Sequence, residues 1–85
     1  MKIFGAFRKS KEQKAMEQLH KMCVSGMSGE LVKGFESISF QTWLEVHGIY
    51  LMMTYGQETT AMSKDARTVI SAVGLIKPSQ EFPHF

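Results

Sequence analysis

The sequence predicts an all-α protein, a small bundle of about four helices with short connections and non-helical extensions at both ends. Three observations lead there. Apolar residues recur at three- and four-residue intervals through most of the chain, which is the spacing of a helical face rather than a strand. Serines stand where helices would start and glycines where they would stop. The chain has 85 residues, 44% hydrophobic and 21% charged, an ordinary globular composition with room for one domain.

Residues 1–9 form a leader of apolar and basic side chains. Ser10 then stands three residues before Gln13, the spacing of a capping box that satisfies the free N–H groups of a first turn. Ala15, Met16, Leu19, Met22, Cys23 and Met27 make one apolar stripe of a helix over about 11–25. Gly26 and Gly29 bracket its end. Ser28 is positioned to cap a short second helix with Leu31, Val32 and Phe35 on one side. Gly34 in its interior costs about 1 kcal/mol relative to alanine.

The third segment, Phe40 to Tyr55, is the most apolar. Phe40, Trp43, Leu44, His47 and Leu51 make one face, and Val46, Ile49, Tyr50 and Met53 occupy much of the rest. A helix apolar on most sides is central in its fold or buried in an oligomer interface. Gly56 sits at its expected stop, and Gly48 within it marks an expected close approach of another helix. Ser63 then caps a fourth helix reaching Val73, with Gly74 as its stop and Ala66, Val69, Ile70 and Val73 in the core. Its β-branched content would also suit a strand, but the spacing of three and four favours the helix. Pro78 and Pro83 hold the tail, residues 77–85, extended.

Charge and cysteine usage narrow the setting. Cys23 is the only cysteine, so no intramolecular disulfide forms, as expected in a reducing compartment. The leader is too short for a secretory signal, and the longest uncharged run, Val46 to Gln57, is well below the ~20 residues that span a bilayer. A cytoplasmic protein is expected. The net charge of +2 hides an asymmetry. Residues 1–21 hold six basic and two acidic side chains, a balance of +4; the remainder holds four and six, a balance of −2.

Chemical signatures are few. His20 and Cys23, three apart, are half of a metal site, since zinc takes at least three protein ligands. Cys23 with His20 or His47 lacks the third group that would orient a catalytic base. The chain has no glycine-rich phosphate loop, GxSxG elbow or HExxH helix. Catalysis, metal and cofactors are therefore not expected. Seven methionines lie mostly in or beside the apolar stripes, where thioethers fill irregular cores or adaptable grooves. Ile3, Phe4 and Phe7 among Lys2, Arg8 and Lys9 have the chemistry of an interfacial membrane anchor, although one turn buries too little to hold alone.

These features point to a small protein-binding adaptor or regulator working through an apolar, methionine- and aromatic-rich helical surface, as a homodimer. The expected anchors are Phe4, Phe7, Trp43, Tyr50, Phe82 and Phe85, because aromatics dominate interface hot spots. The alternative is a small DNA- or RNA-binding regulator using Lys9, Lys11, Lys14, Lys64 and Arg67.

Overall fold

Each helix among the described residues starts at a serine and stops before a glycine. The computed structural model describes residues 10–58 and 61–77, so the expectations for the leader, and for the tail beyond Lys77, lie outside the described residues. Among the described residues there are three helices and no strand: α1 (Lys11–Met27), α2 (Phe40–Thr54) and α3 (Lys64–Ala72). The all-α class holds; the number of helices does not.

Ser10, Ser39 and Ser63 are the N-caps, their hydroxyls accepting from the backbone N–H of Gln13, Thr42 and Ala66. At α1 the capping box closes, with the Ser10 N–H donating to Gln13 Oε1 at 2.9 Å. The other ends share one device. The Glu30 N–H donates to Ser25 O (3.0 Å), Gln57 to Met52 O (2.8 Å) and Leu75 to Ile70 O (3.3 Å). These are the long bonds of a Schellman motif, each spanning a glycine at positive φ: Gly29, Gly56 and Gly74.

The expected second helix is where the structure departs from the sequence reading. Residues 28–38 form successive turns. Ser28 caps the C-terminus of α1 rather than the N-terminus of a new helix, and Gly34, at φ +88°, interrupts the segment. The Phe35 N–H donates to Val32 O (2.8 Å) and the Ile38 N–H to Phe35 O (3.1 Å), so the spacing of three is made by turns. Val32, Phe35 and Ile38 still pack against the core.

α1 and α2 run antiparallel, with Gly26 beside Trp43 at one end and His20 beside Tyr50 further along. The contact at Gly26 is close: a Cβ built there would stand 2.5 Å from three atoms of the Trp43 indole. The close approach expected at Gly48 is found here instead, and a Cβ at Gly48 would meet nothing within 4 Å. α3 packs on α2. Its start is tied down by Glu45, whose carboxylate accepts from the Ser63 N–H and the Ser63 hydroxyl, both at 2.7 Å. A carboxylate at a helix N-terminus also meets the positive end of the helix dipole. Leu19, Cys23, Trp43, Val46, Ile49, Met62, Ala66, Val69 and Ile70 form one continuous buried cluster.

Candidate functional site

At 3.6 residues per turn, α2 divides into two apolar faces. One holds Trp43, Val46 and Ile49, which are buried. The other holds Phe40, Leu44, Gly48, Leu51 and Tyr55 within an arc of roughly 80°. The four large side chains of this outer band are exposed at 55%, 45%, 39% and 76%. The expected grouping of Phe40, Trp43, Leu44, His47 and Leu51 is thus split, with Trp43 pointing inward. Glu45 is the one charged residue of α2, and it is engaged with Ser63. The outer band therefore carries no charge.

Beside this band lies a cluster of three rings. Tyr50 stacks on His20 at 5.0 Å and 24°, and on His47 at 5.9 Å and 22°; the two imidazoles are 6.3 Å apart. Tyr50 also borders a shallow depression with Lys14, Glu17 and Lys21 of α1. At the far end of the α1–α2 pair, Trp43, Phe40, Phe35 and Leu31 line a second depression, where Leu31 is exposed.

The sequence-predicted site residues are scattered. Trp43, at 3% exposure, is a core residue rather than a surface anchor: its indole is needed to fill the space over Gly26. Tyr50 is half-buried. Phe4, Phe7, Phe82, Phe85 and Lys9 lie outside the described residues. Lys11, beside Val73 to Leu75, Lys14, beside Tyr50, and Lys64, beside Glu45 and Asp65, occupy three separate depressions. Arg67 is half-buried on α3. The exposed outer band of α2 is not legible in the sequence, because both faces of the helix are apolar and periodicity cannot choose between them. The inward use of Glu45 decides it, and that depends on where α3 starts.

Cys23 is fully buried while His20 is exposed, so the two do not converge. Among the described residues no group of three or more His, Cys, Asp or Glu is placed to hold a metal ion. Burial pushes the Cys23 thiol from 9.0 up to about 11, because the interior penalises the thiolate. Between those values the native state keeps a proton that the unfolded chain has lost, so stability falls as pH rises through that window. Iodoacetamide at neutral pH is expected to label native Cys23 only through unfolding. Mass spectrometry across a urea series checks this, and rapid labelling without urea would show an open thiol.

No helix among the described residues is long and apolar enough to cross a membrane. No known family, curated protein or solved structure matches the chain.

Proposed function

We propose that the protein is a small protein-binding adaptor or regulator whose docking surface is the outer band of α2. The observation that carries this reading is the exposure of Phe40, Leu44, Leu51 and Tyr55 on a helix whose one charged side chain is turned toward α3. Apolar side chains aligned on one helix and rimmed by polar residues are what an interacting surface presents. A partner that fits offers an apolar helical face of its own.

The test is affinity capture of the full chain and its Leu51→Glu variant at low and high salt, with and without nuclease. A stoichiometric protein that survives salt and nuclease and is lost with Leu51→Glu supports the reading. Retention that is unchanged by Leu51→Glu, falls steeply with salt and vanishes with nuclease would replace it with nucleic-acid binding through Lys9, Lys11, Lys14, Lys64 and Arg67.

A further inference from the structure

We draw no further inference here: the strongest candidate, the exposed apolar band of α2 formed by Phe40, Leu44, Leu51 and Tyr55, is an unpartnered helix face, and nothing in the structure shows what covers it.

Discussion

Trp43→Ala is expected to destabilise the protein severely. The indole is 3% exposed, lies against Gly26 and belongs to the one buried cluster joining the three helices. Truncating a buried tryptophan costs about 3–5 kcal/mol, through lost transfer energy and the cavity left behind. A domain of this length holds roughly 4–13 kcal/mol in total. At the low end of that range the loss equals the whole, and at the high end it is about a quarter of it. Urea unfolding followed by circular dichroism measures it, with a midpoint shifted far toward zero or no transition at all. The alternative view of Trp43, as a surface anchor, has the opposite signature: a wild-type midpoint together with weakened association. Observing that signature would refute the packing of Trp43 against Gly26.

Gly26→Val is expected to be nearly as damaging, for the converse reason. Any Cβ at this position would stand 2.5 Å from three atoms of the indole, so the ring must shift from its place in the core. Overfilling a packed site costs about 1–3 kcal/mol, and a branched side chain in so tight a contact belongs at or above the upper end. Combining Gly26→Ala with Trp43→Leu should cost less than the two changes summed, because the smaller side chain yields the space the methyl needs. Thermal unfolding of the four proteins gives the coupling. Alanine at Gly48 is the control. It meets nothing within 4 Å and should stabilise by about 0.4–1 kcal/mol through helix propensity. Equal effects at the two glycines would refute the contact.

The comparison of these glycines shows where the sequence was readable. Gly56 and Gly74 were legible as helix stops, and Ser10 and Ser63 as caps, because each signal acts over a few residues of its own chain. Ser28 carries the same type of signal but ends a helix where its sequence context suggests a start. A serine next to a glycine serves an ending helix as well as a starting one, and the bond from the Glu30 N–H to Ser25 O decides between them. Gly26 and Gly48 look alike in sequence; which of them is crowded depends on where another helix crosses. The faces of α2 were ambiguous for a similar reason. With apolar side chains on both, the choice of core face rests on the Glu45–Ser63 tie and on the fit of Trp43 over Gly26.

That tie has a bearing on how the domain comes apart. α3 is nine residues long, shorter than the ~12–15 needed for a helix to persist alone in water. Its ordered state depends on Glu45 holding the first turn and on Ala66, Val69 and Ile70 lying in the core. For this segment, coiling and docking are a single event: α3 released from α2 is no longer a helix. Protection of its amides from exchange with solvent therefore measures attachment rather than local helix strength. α1, with 17 residues and a closed capping box, has no such dependence at its first turn. The bundle thus holds one helix whose first turn is closed by its own residues and one whose first turn is held by a neighbour.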